Sequence, residues 1–215
     1  MNENQLVPQD LTGGPLAQSF ESVVAGADYL PRFQLFSSKS DACAEGKIVG
    51  GHYGLVKDDI ITDLGAEISV LVVSWRAKAV QTGGEALIID YDHNSAMFND
   101  IKTRSGEQDS GCMYGPEFLL WLPELGTFAT YHMNSKTARR EAKKLGPLLG
   151  GAVTLKCRLI ETARFKWHGP VVLPCSTPMT APPEDVMRAE WTKFQNPPAT
   201  GAELADDDGK GNRAR

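Results

Sequence analysis

From Leu155 to His168 the chain alternates closely enough to define two faces. One parity carries Lys156, Arg158, Ile160, Thr162, Arg164, Lys166 and His168, and the other Leu155, Cys157, Leu159, Glu161, Ala163, Phe165 and Trp167. A period of two is that of a β-strand, here basic on one side and mostly apolar on the other. A bulge near Ile160 and Glu161 would shift the phase and account for the acid on the apolar side. Ile68–Trp75 is almost continuously apolar and β-branched, the pattern of a strand buried on both faces. Similar runs predict strands over Tyr29–Phe36, Lys47–Val56, Glu67–Val80, Ala86–Tyr91, Glu117–Leu122 and Thr127–Met133. A final pair runs over Ala152–Trp167, turns at His168-Gly169-Pro170 and returns over Val171–Pro174.

Helical periodicity is confined to three segments. Asn94–Lys102 follows Asp92, and either Asp92 or Asn94 can cap it. In Ser135–Leu145, Ser135 can cap the start and Gly146-Pro147 can end it. Ala138, Ala142, Leu145 and Leu149 make a core-facing stripe opposite Lys136, Arg139, Arg140, Lys143 and Lys144. Glu184–Phe194 carries Met187, Trp191 and Phe194 at i, i+4 and i+7, a stripe suited to docking on the core or to self-association.

With 215 residues, 41% of them apolar, the chain can bury one ordinary core and not two. Its 21 glycines and 13 prolines favour many turns, and so a strand-rich fold, over a bundle. The expected class is mainly β with a few helices, closed into a small barrel or a strongly curved antiparallel sheet. Composition divides the chain into a flexible arm (1–27), a core (28–177), a Pro-rich linker with a helix (178–199) and a disordered acidic tail (200–215). No basic n-region and no apolar run of membrane-spanning length is present, so a cytoplasmic location is expected, with no membrane contact. The four cysteines lie far apart without a CxxC pair, which reads as free thiols rather than a metal site.

The net charge of −5 conceals a strong asymmetry. Between Tyr131 and Pro170 nine basic residues face two acidic ones, a balance of +7, while 13 basic and 25 acidic residues elsewhere leave −12. Such a block is an electrostatic footprint for an anionic partner. Lys136, Arg139, Arg140, Lys143 and Lys144 on the helix, with Lys156, Arg158, Arg164 and Lys166 on the strand, are the phosphate-binding candidates. Arg76 and Lys78, beside Trp75, form a shorter basic stretch. Aromatic rings among cations suit single-stranded nucleic acid, whose phosphates pair with the cations while its bases stack. Tyr53, Trp75 and Trp167 are the stacking candidates, with Tyr114, Tyr131 and Phe165 behind them. Tyr53 stands in Gly50-Gly51-His52-Tyr53-Gly54, where glycines permit another chain to approach closely.

This layout resembles the phage-encoded single-stranded DNA-binding proteins built on an OB-fold. The resemblance implies a non-enzymatic protein of DNA replication or recombination, in the host cytoplasm if viral, with no cofactor or metal. It also implies an acidic tail, here Asp206-Asp207-Asp208 with Glu203 and Asp185, that recruits replication proteins and competes with DNA. This tail instead ends Gly211-Asn212-Arg213-Ala214-Arg215. Homo-oligomerisation is compatible with it.

Two other readings remain. A virion or scaffold protein could use the basic face to dock on an acidic neighbour. A nuclease could gather Asp58, Asp59, Asp63, Asp90 and Asp92 around two metal ions. No phosphate loop, HExxH or GxSxG motif occurs, and Asp90-Tyr91-Asp92-His93-Asn94 lacks the later ligands of a calcium loop. Cys112, in a glycine-rich turn, with His132 or His168 as base, is the remaining nucleophile candidate.

Overall fold

Two neighbouring aspartates start the fold's first hairpin. Asp58 and Asp59 both take positive φ (48° and 63°), and Lys57 pairs with Ile60 across them. That is a two-residue turn whose twist matches the flanking strands. It joins β2 (Tyr53–Lys57) to β3 (Ile60–Gly65), a strand absent from the sequence-based expectation. A computed structural model describes residues 30–82, 87–107, 109–163, 165–175 and 177–197. The proposed arm, the proposed tail, Arg164, Gly83 and Gly84 lie outside the described residues.

The other strands are β1 (Arg32–Leu35), β4 (Glu67–Gln81), β5 (Ile88–Asp90), β6 (Cys112–Leu122), β7 (Thr127–His132), β8 (Ala152–Glu161) and β9 (Lys166–Pro174). A short α1 (Asp41–Ala44) follows β1, and α2 (Ala96–Arg104), α3 (Lys136–Ala142) and α4 (Glu184–Gln195) are the longer helices. All strands share one sheet in the order β3-β2-β1-β7-β6-β4-β8-β9, with β5 also on β4. Every ladder is antiparallel except β1 with β7, which is parallel, so the sheet is mixed rather than antiparallel throughout. The sheet is curved and not closed. Tyr53 of β2 donates its hydroxyl to the Lys156 carbonyl of β8 at 3.1 Å, although four strands, β1, β7, β6 and β4, stand between them in the order. Only a sheet curled around its core brings those two strands together.

The core lies inside the curl. Phe33, Tyr53, Phe118 and Tyr131 meet Ile68, Val70, Val72, Leu120, Val153, Leu155 and Val172 there, and Ala138, Ala142 and Leu145 close one side. A second cluster forms where Phe98 and Ile101 of α2 pack on Ala79 and Cys112. A bulge between Val72 and Ser74 divides β4. Before it, Ile68, Val70 and Val72 face the core; beyond it, Arg76 and Lys78 share the outer face with Glu117. An inserted residue re-aims the side chains that follow it.

The final hairpin departs from the expected turn. Glu161 pairs with Lys166, and Thr162 and Phe165 close the loop through their backbone, Thr162 N–H to Phe165 O at 2.8 Å. His168, Gly169 and Pro170 are ladder residues of β9, and the β8–β9 register runs without a bulge from Val153 to Glu161. The earlier turn resets the parity: Trp167 joins Arg158 and Ile160 on the outer face, and Lys166 moves to the face of Glu161.

Candidate nucleic-acid interface

Helix α3 and the β8–β9 hairpin meet along β9. Ser135 caps the helix by accepting the Ala138 N–H at 3.1 Å, as its sequence position predicts. Ala138 and Ala142 enter the core, which turns Thr137 and Glu141 toward β9. Trp167 Nε1 donates to Thr137 Oγ1 at 3.4 Å. Gly169 makes this approach possible, because a Cβ there would lie 2.9 Å from both Ile160 Cδ1 and Thr137 Cγ2. One turn on, Glu141 Oε2 accepts the Val172 N–H at 3.1 Å and the Lys144 ammonium at 2.7 Å. Partial burial opposes ionisation of Glu141, yet Lys144, the Val172 N–H and the nearby Arg158 charge hold its pKa below the ordinary value. Glu141 therefore faces the sheet, not solvent. The basic helix and the basic outer face of the hairpin lie side by side.

Four cations on this surface, Lys136, Arg140, Lys143 and Arg158, are exposed and make no ion pair among the described residues. Lys144, Lys156 and Lys166 are bridged to Glu141, Glu67 and Glu161 at 2.7, 2.8 and 2.7 Å. Ion pairs as exposed as Lys156–Glu67 and Lys166–Glu161 contribute little and exchange readily for another anion. Two rings accompany the cations: Trp167 is 37% exposed and Phe165, at the hairpin tip, 68%.

Five expected site residues are placed elsewhere or already engaged. Tyr53 is fully buried, stacked on Phe33 with centroids 5.2 Å apart and edge-on to Tyr131. Burial raises its phenol pKa above the usual value. The glycines around it admit the protein's own chain: a Cβ at Gly50 would meet Ser38, one at Gly51 would meet His168, and one at Gly54 would meet Phe36 and Ile48. Arg139 turns back on the fold, its guanidinium 4.2 Å above the Tyr114 ring and donating to the carbonyls of Tyr114 and Asn134. Arg76 and Lys78 are held by Glu117, a carboxylate 2% exposed that accepts Arg76 Nε at 2.8 Å and Lys78 Nζ at 2.5 Å. The Arg76 guanidinium is sandwiched between Tyr91, at 3.7 Å, and Phe194, at 4.2 Å, and donates to the Phe194 carbonyl. Two cations on one buried acid are a clamp for α4. Trp75 is 48% exposed but stands where β4 pairs with β6, and Gln195 of α4 reaches its carbonyl.

The C-terminal segment lies against β4 and β6. Trp121 Nε1 donates to the Thr180 carbonyl at 3.0 Å, Gln195 reaches Ser74 Oγ at 3.0 Å, and Phe194 is buried. Of the expected α4 stripe, Phe194 docks while Trp191 is exposed. His132, opposite Glu117, has its pKa lowered to about 4 by burial and by Lys78, against the pull of Glu117.

The remaining candidates serve local structure. Asp58 and Asp59 form the β2–β3 turn, and Asp63 binds His52 Nδ1 at 2.9 Å and the Gly65 N–H at 2.8 Å. Asp90 and Asp92 accept backbone N–H groups ahead of α2, whose cap is Ser95 rather than Asp92 or Asn94. Cys112 is buried in the second core cluster, not displayed on a turn. Among the described residues no group of three or more His, Cys, Asp or Glu side chains is placed to hold a metal ion, and no helix is long and apolar enough to cross a membrane. The sequence pattern assigns neither Glu141 nor Thr137 a part; their placement depends on which edge of the sheet α3 covers. No family model, curated protein or solved structure matches this chain.

Proposed function

We propose that the protein is a non-catalytic binder of single-stranded DNA, without base specificity, acting in replication or recombination. The observation that carries this reading is the union of α3 with the outer face of the β8–β9 hairpin, which among the described residues bears four cations without an ion pair and two exposed rings. Phosphates occupy Lys136, Arg140, Lys143 and Arg158, and unpaired bases stack on Trp167 and Phe165, at about 1–3 kcal/mol per stacked base. Phe165, at the tip, extends the platform beyond the core.

The connectivity supports the same reading. A meander (β4, β6, β7), a helix (α3) and a hairpin (β8, β9) whose first strand pairs back on β4 follow the order of an OB-fold, with β1–β3 added beside β7. OB-folds offer the face of their second and third strands, and the loops beside it, to oligonucleotides. Here the C-terminal segment lies against β4 and β6, the first and second strands of that order, and the free cations and exposed rings of the described residues instead lie beside the loop between the fourth and fifth strands, which takes the role.

The double reversal Arg140→Glu/Lys143→Glu tests the assignment. Both side chains are exposed and unpaired, so the melting temperature stays within a few degrees while affinity for labelled oligo-dT falls at least tenfold. Retained affinity removes α3 from the interface. Failure of the wild-type protein to bind any nucleic acid would leave the basic face to an acidic protein neighbour in a virion or scaffold.

A further inference from the structure

Glu141 presents a paradox for a phosphate-binding surface. It places a carboxylate among Lys144, Arg158, Arg140 and Lys143, where simple electrostatics would have none. Its geometry supplies a reason. β9 ends the sheet order, so its outward N–H groups have no strand to receive them. Unpaired edge donors are costly when covered and are usually blocked by some device. Here the device is the Glu141 carboxylate, which takes the Val172 N–H while the Ala138–Ala142 face of the same helix is in the core. The carboxylate also lies between two positive elements that would otherwise repel each other, Lys144 on the helix and Arg158 on the strand.

We propose that Glu141 is a positioning residue of the nucleic-acid surface, its carboxylate pinning α3 to the open edge of β9 so that the helix cations and the Arg158–Trp167 face form one groove. The proposal rests on the single-stranded DNA reading and adds to it the part that sets the groove's geometry. Binding that requires the docked arrangement loses affinity in proportion to the fraction of molecules that leave it.

This role and plain electrostatics predict opposite signs. Removing an acid from a cationic surface should strengthen binding to a polyanion, whereas loss of a positioning residue weakens it. Anisotropy of labelled oligo-dT at fixed salt, with Glu141→Ala and Glu141→Gln beside the wild type, separates the two. The expected result is about three- to tenfold weaker binding for Glu141→Ala, from a lost hydrogen bond to a covered backbone donor. Glu141→Gln keeps an acceptor for Val172, releases Lys144 from its ion pair and removes a negative charge beside Arg158, so it binds at least as tightly as wild type. Faster hydrogen exchange of the Val172 amide in Glu141→Ala alone is the accompanying structural signature. Should Glu141→Ala fail to fold, Glu141→Asp, one methylene short of Val172, takes its place with the same expected loss. Equal or tighter binding by Glu141→Ala, or equal weakening by Glu141→Gln, overturns the positioning role and leaves the binding reading standing. A wild-type protein that does not bind removes the reading itself, and the proposal with it.

Discussion

Substituting Glu117 with Gln keeps the shape of the side chain and removes its charge. The carboxylate is 2% exposed and receives Arg76 Nε and Nη2 at 2.8 and 2.7 Å and Lys78 Nζ at 2.5 Å. The two cationic side chains are only 12% and 18% exposed, so water cannot replace the lost partner. Breaking a buried ion pair by neutralising one member costs about 3–5 kcal/mol, because the surviving charge is left uncompensated. The structure adds a mechanical consequence: Arg76 also holds the Phe194 carbonyl between two rings, so α4 loosens with it. Urea denaturation of Glu117→Gln should therefore give a midpoint lowered by the equivalent of about 3–5 kcal/mol, with the C-terminal helix the first segment to lose exchange protection. The combined variant Arg76→Met/Lys78→Met/Glu117→Leu, which removes all three charges, should be less destabilised than Glu117→Gln alone. A loss below about 1 kcal/mol for Glu117→Gln would refute the argument that this acid anchors the clamp.

Two further outcomes follow from the same geometry. The folded pKa of His132, about 4, lies below its ordinary value of 6.5, so the unfolded chain binds the proton more readily. Stability is then complete above pH 6.5 and falls by about 3 kcal/mol as pH drops to 4. Urea midpoints across that window should show the fall in wild type and not in His132→Gln; the same slope in both would assign it to other groups. Gly169→Ala places a methyl 2.9 Å from Ile160 and Thr137, and should cost about 1–3 kcal/mol in denaturant unfolding while displacing α3. An unchanged midpoint would mean that the helix does not rest on β9 at that point.

Much of the fold was legible because period-two and period-3.6 patterns are local. The continuous apolar run of β4, the alternation of β8 and the Ser135 cap of α3 can all be read without knowing what they touch. Strand β3 escaped because its turn is Asp58-Asp59, whose positive φ values only the hairpin twist makes favourable. The turn between β8 and β9 was misplaced because His168-Gly169-Pro170 resembles a breaker, whereas Gly169 is there for the approach of Thr137. The site divided along the same line. Exposed cations on α3 announce themselves by spacing alone. Whether Arg76, Lys78 and Arg139 are free depends on Glu117 and Tyr114, and in the case of Glu117 a strand bulge decides it. Tyr53 illustrates the converse, since glycines signal close approach without saying which chain approaches.

The central claim is that α3 and the β8–β9 hairpin form one surface for single-stranded DNA, and the salt dependence of binding tests it most directly. Anisotropy of labelled oligo-dT, with a duplex of equal length alongside, is measured from low to moderate salt. The four cations that make no ion pair among the described residues, at about 0.7 counterions each, predict that log K falls against log salt with a slope near −3, steepening if bridged lysines exchange their partners for phosphate. The single strand should bind more tightly than the duplex, because only unpaired bases reach Trp167 and Phe165. A slope near zero, or a preference for duplex, would contradict the account.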